Sequence, residues 1–367
     1  MKYKLGQLVE QYDEINDKGE FQDLESLQGI NSLKYFQECK SNKNDIDLFR
    51  YRICRKGMFA YNRATSRNGE KISIAYREGN DCLISPSYYC FKIVREDLLL
   101  ADYLMIWLKR PIFDKYARFH SWGSATEFFT FEDFCDTEIN LPSIKEQRKI
   151  VHDYKVITDR IELLKKININ LEEQVYCNYL RCIENFESNT KLSELANICM
   201  GTSPEGDELN DEELGEIFYQ GKTDFGFRYP SVRIYTTGGK RFAQKNDILM
   251  SVRAPVGSVN IAHEYCAIGR GLAAIRPKDA CYSFLYYTMK KLEYELNKFN
   301  NEGTVFGSIN KEDLFSLKVS SADIIARKNF EMYASKFDKQ IENNEKIIDK
   351  LSNILSLMML KITKEVA

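Results

Sequence analysis

The sequence has few of the residues and motifs on which enzyme active sites depend. Among 367 residues there are only three histidines, and the ten cysteines never form a C-x-x-C pair. A zinc site is therefore disfavoured, and free thiols in a reducing compartment are predicted. The seven prolines all stand alone, which excludes the Asn/Asp-Pro-Pro-aromatic signature of amino-group DNA methyltransferases.

Long apolar runs and a strong excess of one charge are also missing. The apolar run at residues 354–360 is interrupted by Ser356 and is far too short to cross a bilayer. The first residues are polar, unlike a signal peptide, so we predict a soluble cytoplasmic protein without membrane contact. The formal net charge is only −2, so any nucleic-acid surface has to be a local patch.

Searches for catalytic motifs end in weak matches. Gly221-Lys222-Thr223 resembles the end of a P-loop, but Gly215 lies one residue too far upstream and no glycine-rich turn supports a nucleotide site. The sequence has no Gly-x-Ser-x-Gly, and its histidines are far apart, which argues against a hydrolase triad. We predict no catalytic residue and no metal ligand in this chain.

Two segments show the heptad spacing of a coiled-coil helix, and the second begins 180 residues after the first. Their apolar and amide seam positions are Ile150, Tyr154, Ile157, Ile161, Leu164, Asn168, Leu171, Val175, Asn178 and Cys182, then Phe330, Ala334, Phe337, Ile341, Asn344, Ile348, Leu351, Leu355, Met358 and Ile362. Two matched seams in one chain predict an intramolecular coiled coil. Because each helix follows its own globular region, we favour antiparallel over parallel pairing.

In the antiparallel register, Asn168 faces Asn344. Buried seam asparagines commonly fix the register of a coiled coil at some cost in stability. The alternative is that both asparagines lie at the wet edge of an imperfect seam, and the sequence does not decide between the two.

The globular regions are two copies of one unit. Short starting helices at 4–9 and 191–196, strands at 55–64 and 245–254, strand pairs at 82–94 and 266–276, and helical stretches at 97–119 and 283–299 occur in the same order. A glycine turn and a short helix follow in each copy, with Thr130 and Asn310 as predicted N-caps. Five elements in one order, at offsets of 180 to 190 residues, indicate an internal repeat.

Basic residues cluster at equivalent places in the two copies. Residues 50–77 carry a net charge of +7 and residues 222–253 a net charge of +5, both interleaved with aromatic and turn residues. A solvated face would explain one such block, whereas two in an acidic protein favour DNA. Arg63 and Arg253 are equivalent, as either a shared structural arginine or a shared phosphate contact. The candidate DNA-binding residues are Arg63, Thr65, Arg67, Lys71, Lys222, Thr223, Arg228, Arg233, Lys240, Arg253 and Arg270.

The second copy resembles the DNA specificity subunit of type I restriction–modification enzymes. The matching segments are Gly201-Thr202-Ser203-Pro204, Tyr219 to Gly226, Ser251-Val252-Arg253-Ala254-Pro255-Val256-Gly257, Ile268-Gly269-Arg270-Gly271 and Gly303-Thr304-Val305-Phe306, together with Leu141 to Ile150 at the entry to the first long helix. In the first copy the match is weaker, with Ala64-Thr65 in place of Ala-Pro and no Gly-Thr-Ser-Pro.

The resemblance implies an α+β fold with two similar mixed α/β target-recognition domains separated by an antiparallel two-helix coiled coil, related by a pseudo-two-fold internal repeat. The expected boundaries are 1–143 for the first recognition domain, 144–186 for the first coiled-coil helix, 187–322 for the second recognition domain and 323–367 for the second helix.

The resemblance also implies a non-catalytic, sequence-specific subunit that reads the two halves of a split, asymmetric target on double-stranded DNA, with the coiled coil setting the gap. Its expected partners are two methyltransferase subunits and the motor–nuclease subunits. No cofactor is expected in this chain; S-adenosylmethionine, ATP and Mg belong to the partner subunits. The alternative is a non-catalytic coiled-coil scaffold whose globular domains bind protein partners.

Overall fold

The fold is seen in a computed structural model of the chain, which describes residues 1–39, 46–65, 71–124, 126–301, 307–320 and 322–364. The chain folds as two units. Unit 1 consists of Met1–Leu163 and Ile347–Ala367, and unit 2 consists of Leu164–Lys346. Within the described residues, no helix is long and apolar enough to cross a membrane.

Unit 1 combines short antiparallel sheets with three short helices. Its strands are β1 (Lys2–Lys4), β2 (Val9–Tyr12), β3 (Gln28–Ile30), β4 (Phe36–Glu38), β5 (Arg52–Cys54), β6 (Phe59–Asn62), β7 (Ile74–Tyr76), β8 (Cys82–Ile84), β9 (Tyr88–Ile93) and β10 (Glu138–Asn140). Its helices are α1 (Ala101–Leu108), α2 (Pro111–Phe119) and α3 (Phe131–Cys135), with 3₁₀ turns at Leu5–Gln7, Leu24–Ser26 and Leu48–Arg50.

The core of unit 1 lies between its main sheet and its helices. The sheet order is β2-β9-β6-β7, and Phe59 of β6 stands opposite Phe91 of β9 with ring centroids 5.0 Å apart. Helix α1 is apolar after its first turn and is buried from Tyr103 to Leu108, as expected for a helix without a polar face.

The helical stretch predicted at 97–119 is helical but not continuous. The structure breaks it into α1 and α2, with Pro111 at the first position of α2. Proline lacks the backbone N–H that a helix interior needs, but it is tolerated in the first turn, where that N–H would have no partner. The prediction of one helix was wrong for this reason.

Unit 2 repeats this plan. Its strands are β11 (Thr190–Lys191), β12 (Ala196–Met200), β13 (Leu209–Asn210), β14 (Glu216–Tyr219), β15 (Ile234–Thr236), β16 (Phe242–Ala243), β17 (Ile248–Ser251), β18 (Val259–Ile261), β19 (Cys266–Ile268), β20 (Leu272–Pro277) and β21 (Lys318–Val319). Its helices are α5 (Leu192–Leu195), α6 (Tyr282–Asn301) and α7 (Lys311–Ser316), with 3₁₀ turns at Gly206–Glu208 and Lys222–Asp224.

The sheet topology confirms the internal repeat. In unit 2 the order β12-β20-β17-β18 reproduces the order β2-β9-β6-β7 of unit 1, strand for strand along the chain. Each unit also pairs its first strand with the strand that follows its last short helix, β1 with β10 and β11 with β21. The two predicted N-caps are present, since Thr130 accepts from the N–H of Asp133 and Asn310 from that of Asp313.

Two long helices complete the fold, α4 (Ile144–Ile183) and α8 (Ile324–Lys364). In unit 1, Ile150 and Tyr154 near the start of α4 pack in one core with Ile362 near the end of α8. In unit 2, Tyr179 near the end of α4 packs with Phe330 near the start of α8. The helices are therefore antiparallel, and all the predicted seam residues are buried or half-buried.

The asparagine pair of the seam is fully hydrogen-bonded. The side-chain N–H of Asn344 donates to the Oδ1 of Asn168 at 2.7 Å, and the amide of Asn168 donates to Glu345 at 2.7 Å. Asn344 in turn accepts a hydrogen bond from Gln340 at 3.2 Å. Both asparagines are almost completely buried, at 0% and 3% exposure, so the wet-edge alternative does not hold.

Candidate nucleic-acid interface

A basic cleft of about 650 Å³ lies on unit 2. Three separate loops line it, namely those that follow β14, β17 and β19. They bring together four of the predicted site residues, which are Lys222, Thr223, Arg253 and Arg270. All four side chains are exposed, and in the described part of the chain none of the three cations forms a salt bridge. The cleft therefore presents uncompensated positive charge to solvent.

Glycines of the matched motifs allow these loops to approach closely. A Cβ on Gly201 would lie 2.1 Å from the carbonyl oxygen of Gly269, and a Cβ on Gly271 would lie 2.6 Å from that of Gln220. Any side chain at these two positions would push the loops apart. The backbone of Arg270 is held in the same cluster, because its N–H donates to the hydroxyl of Ser203 at 3.3 Å.

Arg253 is placed by a tight turn after β17. The hydroxyl of Ser251 donates to the carbonyl of Pro255 at 2.7 Å and accepts from the N–H of Ser258 at 2.9 Å. The Ala254–Pro255 peptide bond in this turn is cis, and the hydrogen bond between Ser251 and Pro255 joins the two ends of the turn. With its base buried in this way, the turn directs Arg253 outward into the cleft.

The P-loop resemblance at Gly221 does not produce a phosphate cradle. The carboxylate of Asp224 already accepts hydrogen bonds from the backbone N–H groups of Gln220, at 2.7 Å, and Gly221, at 3.3 Å. A P-loop holds phosphate with free backbone amides of this kind. What the loop offers to the cleft is the side chains of Lys222 and Thr223.

Two predicted residues of unit 2 stand apart from the cleft. Arg233 is exposed but pairs with Asp224, with its Nε 3.0 Å from the carboxylate. Lys240 is exposed in the loop before β16 and does not line the cleft.

The prediction of Arg228 as a DNA contact is wrong. Its side chain is fully buried, donating at 3.0 Å to Glu172 of α4 and forming an ion pair with Asp338 of α8. It also donates to the hydroxyl of Tyr287 at 3.0 Å and lies over the ring of Tyr286. A guanidinium enclosed in this way is a structural anchor that ties the loop before β15 to both long helices.

The equivalent surface of unit 1 has a different chemistry. Arg63 is half-buried, and its guanidinium lies 5.4 Å from the ring centroid of Phe128 and 5.8 Å from that of Tyr89. Thr65 is buried, with its N–H donating to the carbonyl of Glu127 at 3.0 Å, so its prediction as a DNA contact is wrong. Lys71 is exposed. Arg67 lies outside the described residues, as does Gly303-Thr304-Val305-Phe306 of unit 2.

Sequence reasoning missed the exposed aromatic residues beside Arg63. Trp122 is 70% exposed and Phe119 is 77% exposed, and Trp122 pairs through its backbone with Phe128. Apolar side chains rarely stand this far out of a folded domain without a binding role when they cluster. The only signal in the sequence was an isolated tryptophan next to the Gly123 turn.

The first basic block is also less basic than its sequence indicated. Arg55 pairs with Glu14, Glu20 and Asp81, while Arg52 pairs with Asp13. Arg77 is buried, donating to Gln28 and to a backbone carbonyl. Most of these acidic partners lie outside the counted interval, so the net charge of +7 did not describe the surface.

The remaining features are two tyrosines, the thiols and the possible metal ligands. Tyr286 and Tyr287 are buried core residues. All ten cysteines are free, and burial raises the pKa of the Cys281 thiol to about 11. Among the described residues, no group of three or more His, Cys, Asp or Glu side chains is arranged to hold a metal ion.

The family model for the type I restriction modification DNA specificity domain matches residues 13–173 and again residues 184–353. The first match contains three of the four strands of the repeated sheet in unit 1, and the second contains all four in unit 2. The chain belongs to this family. It is a specificity subunit of the type I restriction–modification class, with two specificity domains in one polypeptide.

Individual relatives agree with this assignment. A curated protein of Methanocaldococcus jannaschii, named for the MjaX type I restriction enzyme specificity subunit, is 32% identical over 251 residues. That match covers 59% of this chain and spans 58% of the length of the relative.

One solved structure shows the same fold. The S subunit of a type I restriction–modification system from M. genitalium has a TM-score of 0.61 at 15% identity, covering 99% of this chain and 95% of that one. The HsdS subunit of Thermoanaerobacter tengcongensis has a TM-score of 0.39 at 24% identity, covering 99% of this chain and 96% of that one.

Proposed function

We propose that this chain is the DNA-recognition subunit of a type I restriction–modification complex and has no catalytic activity of its own. Each specificity domain reads one half of a split, asymmetric target on double-stranded DNA. The observation that carries this proposal is the cleft of unit 2, where Lys222, Arg253 and Arg270 converge from three loops and form no salt bridge with any residue that the structure describes.

The cleft suits DNA because its positive charge is confined to one concave surface, where hydrogen-bonding groups lie beside the charged side chains. Lysine and arginine neutralise phosphates, and arginine can also bind the O6 and N7 atoms of guanine with two hydrogen bonds. Thr223 adds a hydroxyl that can contact either a phosphate or a base edge. We assign Lys222 to the phosphates, and Arg253 and Arg270 to the base edges or the adjacent phosphates.

DNA binding by the assembled complex tests this assignment. We expect the triple variant Lys222→Ala, Arg253→Ala, Arg270→Ala to keep its fold and to lose most of its affinity, with a salt dependence reduced by about three phosphate contacts. Lys328→Ala, an exposed lysine of α8 outside the cleft, is the matched control. Unchanged binding at low salt by a folded triple variant would refute the proposal and favour the protein-binding scaffold instead.

We further propose that the coiled coil sets the gap between the two half-sites. A 40-residue helix such as α4 is about 60 Å long, against about 34–36 Å for one turn of B-DNA. A pair of packed helices is stiffer than a flexible linker, so the length of the pair can fix the distance between the two half-sites.

Insertion of one heptad into both helices tests the spacing. Seven residues preserve the seam and lengthen each helix by about 10.5 Å, which is about three base-pair steps at about 3.4 Å per step. We expect the methylated target to gain about three base pairs in its gap. A four-residue insertion, which disrupts the heptad, is the control. A target gap that stays the same in the heptad variant would exclude the coiled coil as the spacer.

We also propose that the long helices dock the methyltransferase subunits, which supply S-adenosylmethionine chemistry, and that motor–nuclease subunits using ATP and Mg complete the assembly. In unit 1, α8 leaves Ile354, Leu357 and Leu360 between 45% and 65% exposed, an apolar stripe of the kind that contacts a partner. Leu357→Glu is expected to abolish co-purification with the methyltransferase, while Ser352→Glu on the same helix has little effect. Retained co-purification of Leu357→Glu would place the docking surface elsewhere.

A further inference from the structure

A second cavity, in unit 1, has no part in the proposed DNA contact. It has a volume of about 760 Å³ and lies between β1, β10 and the helix pair α1 and α2. Its apolar lining includes Trp107, Phe113, Tyr116 and Ile139. A cavity of this size is in the range that holds a small organic ligand.

The buried charged side chain in the lining of this cavity is that of Arg110, a residue only 2% exposed. It sits at the N-cap of α2, in the extended conformation that the following Pro111 imposes on it. Its Nε donates to the carbonyl of Trp107 at 2.9 Å, and its Nη1 donates to the carbonyl of Ile362 at 3.4 Å. Both acceptors are neutral backbone groups.

Arg110 forms no salt bridge within the described residues. Two other buried cations do, since Lys34 lies 2.7 Å from Asp114 and Arg228 pairs with Glu172 and Asp338. The less deeply buried Arg77 donates to a side-chain amide and a backbone carbonyl instead. Burial without an opposing carboxylate lowers the pKa of Arg110 to about 10. A buried charge of this kind is costly unless it is paired, so an anion beside Arg110 would lower that cost.

The indole of Trp107 gives a second reason to expect a bound anion. Its Nε1 is buried and has no hydrogen-bond partner among the described residues, although buried tryptophan N–H groups usually find one. The Arg110 guanidinium stacks on this ring, 4.1 Å from the centroid. Among the residues that the structure describes, the lining of one cavity therefore holds a buried cation without an opposing carboxylate and a buried N–H without an acceptor.

The other charges of the cavity satisfy one another. At the rim Lys2 pairs with Glu138 at 2.6 Å, and Lys4 pairs with Asp136 at 2.7 Å. These exposed pairs leave Arg110 as the uncompensated charge inside. An occupant has to bring one negative charge and an apolar body that fits the aromatic lining.

We propose that this cavity binds an organic carboxylate with an aromatic or aliphatic body, its carboxylate held by Arg110 and the indole N–H of Trp107. A free small acid and the C-terminal carboxylate of a partner polypeptide share this chemistry. The site makes this specificity subunit a receiver of a second ligand, separately from its reading of DNA.

Titration of the full chain with phenylacetate, by calorimetry and saturation-transfer NMR, tests the proposal. Phenylacetamide is the neutral analogue of the same shape. We expect it to bind at least tenfold more weakly than phenylacetate, because it cannot supply the charge. A short peptide ending in phenylalanine, with a free or an amidated C-terminus, distinguishes a polypeptide source from a free acid.

Variants locate the site. Arg110→Met is expected to abolish phenylacetate binding and to leave the unfolding midpoint unchanged or raised, since it removes an unpaired buried charge. Trp107→Phe is expected to weaken binding severalfold, and Arg95→Met, an exposed arginine paired with Asp97, to leave it unchanged.

Four results would overturn the proposal. They are no binding by the full chain, equal binding of the amide, undiminished binding by Arg110→Met, and binding that appears only in a chain shortened to Lys364, which would show that this chain's own terminal carboxylates compete for the cavity. DNA affinity measured in parallel separates any of these failures from a failure of the DNA proposal.

Discussion

The two specificity domains have main sheets of the same strand order, but their arginines lie in different environments. In unit 2, Arg228 is enclosed between the two long helices, whereas Lys222, Arg253 and Arg270 are exposed and form no salt bridge within the described ranges. In unit 1 the arginine with several carboxylates, Arg55, stays at the surface. The candidate binding surface there is one half-buried arginine beside exposed aromatic rings.

This contrast distinguishes the buried framework, which is the same in both domains, from the exposed loops, which differ. The strand order and the N-caps are the same in both copies, because they are set by burial and backbone hydrogen bonds. The exposed loops are not bound by those constraints, so one copy presents charge and the other presents rings. We expect the first domain to contact DNA chiefly through stacking or wedging, and the second chiefly through electrostatics and arginine hydrogen bonds.

The largest effect is expected from Arg228→Met. Removing the guanidinium leaves Glu172 and Asp338 without their buried partner, which should lower the free energy of unfolding by about 3–5 kcal/mol. Arg55→Met is the matched change in unit 1, and its partly exposed pairs should be worth about 1 kcal/mol. Urea unfolding of both variants measures the difference. Equal losses would remove the distinction between an enclosed and a surface arginine.

A smaller effect is expected from Arg253→Ala. Loss of one arginine from the cleft should weaken DNA binding by about 1–3 kcal/mol, and the affinity should depend less steeply on salt if a phosphate contact is lost. Fluorescence anisotropy over a series of salt concentrations gives both quantities. Arg233→Ala is the control, because that side chain is already held by Asp224. If Arg233→Ala weakens binding as much as Arg253→Ala does, the cleft is not the contact surface.

Trp122→Ala tests the contribution of unit 1 to DNA binding. Stacking of one aromatic ring on a base is worth about 1–3 kcal/mol and involves no counterion release. We expect affinity to fall toward the lower end of that range while the salt dependence stays that of the wild type. A reduced salt dependence would instead show that unit 1 binds DNA as unit 2 does.

The smallest effect is expected in acid. A hydrogen bond from Arg55 lowers the pKa of Glu14, and the backbone N–H of Lys56, followed by Arg55, lowers that of Asp81. Because both folded-state pKa values lie below the unfolded ones, this stabilisation is present above about pH 4–5 and is lost as the pH falls through the folded values. Arg55→Met should flatten the acid limb of a stability–pH curve measured by urea unfolding. An unaltered acid limb would mean that the cluster contributes nothing.

Periodicity predicted the long helices well. A seam is a local repeat, so both helices could be read from spacing. The Asn168–Asn344 pair followed once the repeated globular regions had favoured antiparallel pairing. The break at Pro111 was also readable, since a proline disfavours the helical conformation of the residue before it. The prediction of one continuous stretch gave that proline too little weight.

Burial of single charged residues could not be predicted in this way. Arg228 and Arg253 look alike in sequence, each a basic residue in a polar block. Their different positions depend on Glu172 and Asp338, which come from helices distant in the chain. Likewise, the partners that neutralise Arg55 lie in loops whose approach only the fold determines.

The Asn168–Asn344 pair inside the coiled coil restricts how far the two long helices can slide along each other. If one helix slid along the other by a heptad, Asn168 would meet Phe337 or Leu351, and Asn344 would meet Ile161 or Val175. Each misplaced amide would lose its partner in an apolar layer, at about 1–3 kcal/mol apiece. A slipped helix pair would therefore be rare at equilibrium, which would keep the gap between half-sites constant in the spacer role proposed for the coiled coil.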